Sequence, residues 1–403
     1  MNRDTMVFNH SLTEQTDLVR RSLLASLVAA PLLYAANAAF AVPAAQSALS
    51  AAGKWNPARS WFFGVSLTEW ADSASWAPFP KAGRRDFAFR DCFARLGVPS
   101  SHISMIADRD ATRKRIRHHL RDVLKQTEPG DFLWFSYQGH GDKRPHSGMF
   151  LVPYDTVGST NKSERETAYK LSDLLDDIEA DFRGSHVVLS GDCCHSGQMA
   201  KVAPNRKGRI AFGAITSSLS SEVSTGNWTF TNALIDGLSG QGAVDLDRDG
   251  GIDLSEIARY ARKTMAFEEE QLSSFAFAEG FPKKTDITRV SSAERSGAGR
   301  QVDVFRHDAW HKAVVTETRS SGEVRVRLAK TTQSLDRWFT ADRVRNHVPT
   351  KIPNGTRVEV KVKGEWVKAK VEAEQLGIHH VRFAGGMEDD DEWVSARRIR
   401  LLK

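Results

Sequence analysis

Phe132-Leu133-Trp134-Phe135-Ser136-Tyr137-Gln138-Gly139-His140-Gly141 is the stretch on which the reading of this 403-residue chain turns. Its first six residues are a near-continuous apolar run, the pattern of a strand that a parallel sheet buries on both faces. Glu128-Pro129-Gly130-Asp131 before it is a turn. Val187-Val188-Leu189 has the same character, and so does Trp61 to Leu67; Ile103 to Ile106 suggests a fourth strand. Between them lie helical stripes. Phe89, Phe93 and Leu96 share one face and end at Gly97-Val98-Pro99. Ile116, Leu120, Val123 and Leu124 form a second stripe, which Asp110 or Thr112 can cap, and Leu171, Leu174, Leu175, Ile178 and Phe182 form a third. Strand alternating with helix predicts an α/β fold, a mostly parallel sheet sandwiched between helices.

In such sheets chemistry gathers beyond the carboxyl ends of the strands. Past Tyr137 the chain reads Gln138-Gly139-His140-Gly141, and past Leu189 it reads Ser190-Gly191-Asp192-Cys193-Cys194-His195-Ser196-Gly197. A thiol with an ordinary pKa near 8.5 is mostly protonated at neutral pH, so a nucleophilic cysteine needs a base beside it. His140, flanked by glycines, has the reach, and the amides of Gly141 and Cys194 are candidate oxyanion donors. Alone, a strand-end histidine is usually a polar loop residue and a cysteine a small core hydrophobe. Together, at equivalent ends of two strands, they form a Cys-His candidate pair.

These segments resemble the caspase-like cysteine peptidases, and among them the metacaspases and their bacterial relatives. The resemblance rests on Phe135 to Gly141, Gly148-Met149-Phe150-Leu151-Val152-Pro153-Tyr154-Asp155 and Asp192 to Gly197, within a region from about Trp61 to about Met265. The 54 residues from His140 to Cys194 also suit the caspase spacing of roughly 50. The resemblance implies that Cys194 is the nucleophile, that His140 is the general base, and that His195 is not the base. It also implies cleavage after Arg or Lys, with Asp192 and Asp86 as acidic residues of the substrate pocket and Gln138 beside them, where relatives commonly have serine. Arg84-Arg85 stands in an unusual place for the family and is a rival partner for Asp86. Lys201, Arg206, Lys207 and Arg209 lie in a polar loop that is either merely solvated or a self-cleavage site.

Further along, Asp245-Leu246-Asp247-Arg248-Asp249-Gly250-Gly251-Ile252-Asp253-Leu254-Ser255-Glu256 has the ligand spacing of an EF-hand loop. Ca²⁺ is the cation it suits, held by Asp245, Asp247, Asp249, the Gly251 carbonyl, Asp253 and Glu256, with helices expected at Phe230 to Leu238 and Leu254 to Met265. An organic cofactor is not expected. The peptidase-like domain is thus 58–290, with this loop at 245–256.

An internal duplication follows. Val302, Val304, Trp310, Ala313 and Val315 recur at an offset of 56 as Val358, Val360, Trp366, Ala369 and Val371, and Val326 and Trp338 recur at 55 as Val381 and Trp393. Alternating apolar and charged residues make 299–348 and 353–403 two small all-β units similar to SH3-like or Tudor barrels. Their tryptophans either fill small cores, the expected role, or line grooves for a peptide, protein or cell-wall ligand.

At the other end, Ser22 to Val42 carries no charge, follows Arg20-Arg21 and ends in Ala39-Phe40-Ala41. This reads as a twin-arginine-like export signal over 1–41 with a linker at 42–57, placing the mature protein in the periplasm or outside the cell. An uncleaved membrane anchor is the alternative. The net charge of +6 is too small to demand a nucleic-acid partner, and the three cysteines, two of them adjacent, do not make a disulfide framework. Two rivals to the peptidase with Arg- or Lys-containing protein substrates are a catalytically silent scaffold acting through the repeats and a peptidase that cuts after acidic residues.

Overall fold

The computed structural model describes residues 47–49, 55–144, 147–158, 160–290, 298–331, 334–386 and 391–402. The expected export signal and most of the linker lie outside them.

The central domain runs β1 (Ser60–Ser66), α1 (Asp86–Arg95), β2 (Ile103–Ala107), α2 (Arg113–Leu124), β3 (Phe132–Gln138), β4 (Gly141–Arg144), β5 (Gly148–Leu151), α3 (Asn161–Thr167), β6 (Tyr169–Lys170), α4 (Leu171–Asp181) and β7 (His186–Asp192). It continues through α5 (Gly197–Val202), β8 (Ala211–Thr216), α6 (Thr229–Leu238), β9 (Gly251–Asp253), α7 (Leu254–Thr264), β10 (Ser274–Phe277) and β11 (Asp286–Arg289). Six strands form one sheet in the order β10-β8-β7-β3-β1-β2. All neighbours are parallel except the edge strand β10, which pairs antiparallel with β8. Alternation along each strand divides the core in two. Phe63, Leu133, Phe135 and Val187 face α2 and α4, while Phe62, Trp134 and Val188 face α1, α6 and α7. Thr112 caps α2 by accepting from the Arg115 N–H, one of the two caps the sequence offered.

Each carboxyl-terminal repeat is a five-stranded antiparallel sheet. The first comprises β12 (Gln301–Arg306), β13 (Ala309–Thr318), β14 (Val324–Leu328), β15 (Ser334–Phe339) and β16 (Val344–Asn346); the second comprises β17 (Arg357–Val362), β18 (Glu365–Gln375), β19 (Ile378–Phe383), β20 (Glu392–Ser395) and β21 (Ile399–Leu401). Their orders, β15-β14-β13-β12-β16 and β20-β19-β18-β17-β21, are equivalent strand for strand, as a duplication requires. Their cores differ from expectation. Val302, Val304, Ala313, Val315, Val324, Val326 and Phe339 fill the first, and Val358, Val360, Ala369, Val371, Val381 and Val394 the second, without a tryptophan. β-branched residues on the inward side already fill so thin a space. The rings sit outside, where Arg345 covers Trp310 at 4.1 Å, Arg319 covers Trp338 at 3.9 Å and Arg400 covers Trp366 at 4.4 Å. Trp393 instead packs with Leu219 on a cluster of Ala266, Leu272 and Ile378 that joins the second repeat to the central domain.

Candidate active site

β3 and β7 lie side by side in parallel register with Gln138 opposite Asp192, so the segments that follow them emerge together. The Gly139 N–H donates to the Asp192 carbonyl at 3.3 Å. Two residues on, a Cβ at Gly141 would lie 2.4 Å from the Cys194 carbonyl oxygen and 3.1 Å from the Cys193 sulfur, so only glycine permits this approach. The Tyr137 hydroxyl donates to the His140 carbonyl at 2.6 Å and the Val152 N–H to the same carbonyl at 3.2 Å, which fixes the backbone that carries the imidazole.

The His140 ring is wedged among Trp70, Phe79 and Trp76, with centroids at 4.3, 4.5 and 5.6 Å. Its Nε2 lies 2.8 Å from the Ala77 carbonyl. A carbonyl can only accept, so Nε2 carries the proton and Nδ1 keeps the lone pair. Burial holds the imidazole pKa below its ordinary value. The ring is therefore neutral at pH 7 and disposed to take a proton at Nδ1.

Cys194 is partly exposed, whereas Cys193 is buried beneath it. Burial pushes the Cys194 thiol up, opposed by the Ser224 N–H, which donates to the sulfur at 3.4 Å; burial pushes the Cys193 thiol much further up. His195, next in the chain, takes a left-handed φ of 59° and turns away. Its N–H donates to the Glu222 carbonyl at 2.8 Å and its Nδ1 lies 3.3 Å from the Ser220 carbonyl. Burial raises the Glu222 carboxyl to about 7, and its Oε1 is enclosed without a hydrogen-bond partner.

Gln138, Gly139, His140, Asp192, Cys193, Cys194, Ser224 and Asn227 line one cleft of about 400 Å³. Asp192 accepts a 2.6 Å hydrogen bond from Thr231, and burial raises its carboxyl to about 6. Gln138, 4% exposed, donates to Ser136 at 2.7 Å. Two other candidates are placed elsewhere. Asp86 does not line the cleft: it is buried against Arg84, whose Nε and Nη2 reach it at 3.0 and 2.6 Å while Nη1 reaches Asp108 at 2.6 Å. A guanidinium two residues away in sequence satisfies the carboxylate that the resemblance gave to substrate. Gly141 opens β4 behind the Cys194 carbonyl and is not part of the cleft lining. Trp76, Ala77 and Phe79, for which the aromatic-proline stretch Trp76-Ala77-Pro78-Phe79-Pro80 is a signal, join the site unexpectedly, as do Trp70, Ser224 and Thr231, which carry no such signal.

The acidic loop holds Asp245, Asp247 and Asp249 with ligand oxygens within 4.8 Å of one another. Asp245 Oδ1 is buried with no hydrogen-bond partner, which fits a hard cation there. The rest of the set is otherwise engaged. Asp253 caps α7 by accepting from the Glu256 N–H at 2.8 Å and pairs with Lys284 at 3.0 Å. Glu256 accepts from the Leu246 N–H at 2.8 Å and the Asp253 N–H at 3.1 Å. Gly251 lies in β9, paired with β11, where a Cβ would meet the Asp286 carboxylate at 2.5 Å. The expected entering helix ends at Leu238, short of the loop.

Residues 85–203 match the family described as "Metacaspase, peptidase C14 domain". Metacaspase-7 of Arabidopsis thaliana is 28% identical over 153 residues, 35% of this chain and 35% of that protein. Two crystal structures align more loosely. A Geobacter sulfurreducens protein has a TM-score of 0.39 at 13% identity, over 58% of this chain and 99% of that one; the Drosophila initiator caspase Dronc has 0.37 at 11%, over 65% and 98%.

Proposed function

Because the chain carries a caspase-like peptidase domain of the metacaspase family, we propose that it is an exported cysteine endopeptidase cutting protein substrates after Arg or Lys. The observation that carries the reading is the imidazole of His140, with Nε2 committed to the Ala77 carbonyl and a lone pair at Nδ1, lining one cleft with Cys194. With the His140 pKa lowered and that of Cys194 raised, the resting pair is neutral imidazole and thiol. On substrate binding, the thiol proton passes to Nδ1 as the sulfur attacks the scissile carbonyl carbon. The imidazolium then protonates the departing amine, and a water activated by the neutral ring hydrolyses the thioester. The Cys194 amide, at the turn out of β7, is the oxyanion donor this placement favours.

Asp192 supports the basic preference. Its carboxyl lines the cleft with a hydroxyl partner and a pKa already strained upward, so an incoming guanidinium or ammonium relieves it. Ca²⁺ in the Asp245, Asp247 and Asp249 cluster would order the loop ahead of α7 and, through it, the substrate-binding segment 215–222, making activity calcium-dependent without touching the reacting atoms. For self-processing, Lys201 lies within α5, Arg206 is paired with Glu179 and Arg209 with main-chain carbonyls, leaving Lys207-Gly208 as the exposed candidate bond in the loop. The test is hydrolysis of fluorogenic peptides ending in Arg, Lys or Asp by the parent and by Cys194→Ala. Cleavage of the basic peptides by the parent alone is expected. No cleavage favours the silent scaffold, and cleavage after Asp favours an acid-specific enzyme.

A further inference from the structure

The first carboxyl-terminal repeat does not hang clear of the cleft. From β14, Arg327 donates through Nη1 and Nη2 to the two carboxylate oxygens of Glu268, each at 2.7 Å, and Nη1 also reaches the Thr331 carbonyl at 2.8 Å. The Glu268 side chain is 2% exposed. Arg327, Lys330 and Thr331 line the same cleft as His140 and Cys194. An enclosed ion pair of this kind is a poor source of stability, since desolvation consumes most of the attraction, but its fork geometry fixes position.

What it fixes can be followed residue by residue. Glu268 belongs to a π-helical turn, Met265–Glu269, that continues α7. Its neighbour Glu269 accepts from the Thr229 hydroxyl at 2.5 Å and from the Asn227 amide at 3.1 Å. Asn227 lies in the loop that leads into α6 and Thr229 is the first residue of that helix; within that loop the Ser224 N–H donates to the Cys194 sulfur. Side-chain contacts joined by two short runs of main chain, Glu268-Glu269 and 224–227, thus lead from the repeat to the thiol.

We infer that Arg327 is a positioning residue of the peptidase centre: by clamping Glu268 it holds the 222–229 loop so that the Ser224 N–H stays on the Cys194 sulfur. This rests on the reading of Cys194 as nucleophile. An N–H aimed at sulfur favours thiolate over thiol, so slackening the clamp makes the thiol harder to ionise.

The test is the pH dependence of Cys194 alkylation by iodoacetamide in the full chain, read by mass spectrometry of the peptide that contains it. Arg327→Ala should move the alkylation midpoint up by about one pH unit, a roughly tenfold slower reaction below it. The double exchange R327E/E268R, which rebuilds the pair with reversed charges, should bring the midpoint back. Arg327→Lys keeps the charge without the fork and should fall between, which answers the question if the alanine variant does not fold. An unmoved midpoint in Arg327→Ala and Arg327→Lys, or a double exchange as impaired as the alanine variant, overturns the inference. The readout is titration of a thiol, so a chain that cleaves no peptide still gives an answer. A chain that cleaves normally with an unmoved midpoint removes the clamp and leaves the peptidase.

Discussion

Replacing Asp192 by asparagine separates what this carboxyl costs the fold from what it offers a substrate. Burial holds its pKa at about 6 where 3.8 is ordinary, so the folded chain binds the proton more tightly than the unfolded one. The fold is therefore unpenalised below the ordinary value, loses stability as pH rises from there towards 6, and carries the full penalty above it. At about 1.4 kcal/mol per pH unit the ceiling is about 3 kcal/mol, and the open side of the cleft reduces it to about 1–2 kcal/mol. Asparagine keeps the shape, accepts from Thr231 and never ionises. Thermal melts at pH 8 should rise by about 2–8 °C, and the two melts should coincide near pH 4. The same exchange removes the carboxylate proposed to meet a basic side chain, so kcat/KM for an Arg peptide should fall by about 10- to 100-fold, the worth of one charged hydrogen bond. Peptides with a neutral residue at that place should be unaffected. An asparagine variant less stable at pH 8, or one that cleaves Arg peptides as well as the parent, refutes the reasoning.

Gly141→Ala should leave the circular dichroism spectrum unchanged and cut turnover by at least about 100-fold, because its methyl must displace the Cys194 carbonyl that now lies 2.4 Å from its place; full activity would show that the turn gives way. Glu222→Gln should have no effect on the melting temperature near pH 4.5 and raise it increasingly from there to its full extent above pH 7, since a carboxyl raised from 4.5 to about 7 costs the fold stability progressively across that window; equal melts at pH 8 would contradict that. Calcium should raise the melting temperature of the parent in proportion to the logarithm of its excess over Kd, and Asp245→Asn should abolish the rise; a parent that ignores calcium removes the ion from the account.

The parallel sheet was legible because continuous apolar strands and three-to-four-residue helical stripes are local signals, and both candidate reactive residues lie two positions past strand ends. What could not be read is what the chain brings together across distance. The carbonyl that sets the His140 tautomer belongs to Ala77, and a main-chain oxygen has no identity in a sequence. For Asp86 both partners, the pocket and Arg84, were open in the sequence, and only the fold decides for Arg84. The tryptophans of the repeats were expected inside on the strength of their size; the valines that alternate with charged residues close those cores, and arginines cover the rings outside. Glu268, Glu269 and Glu270 drew no notice as a plain acidic run, although Glu268 binds Arg327, Glu269 binds the loop beside the cleft, and Glu270 binds Lys312 and Arg397 from both repeats.

The central claim, a nucleophilic Cys194 served by His140, is tested most directly by trapping. The full chain is treated with a short peptide that ends in Arg and carries an electrophilic ketone in place of the scissile bond, and the adduct is located by mass spectrometry. One adduct per chain on the Cys194 sulfur, none on buried Cys193, and a reaction suppressed in His140→Ala is the expected result. Labelling of Cys193, or equal labelling with and without the imidazole, would contradict it.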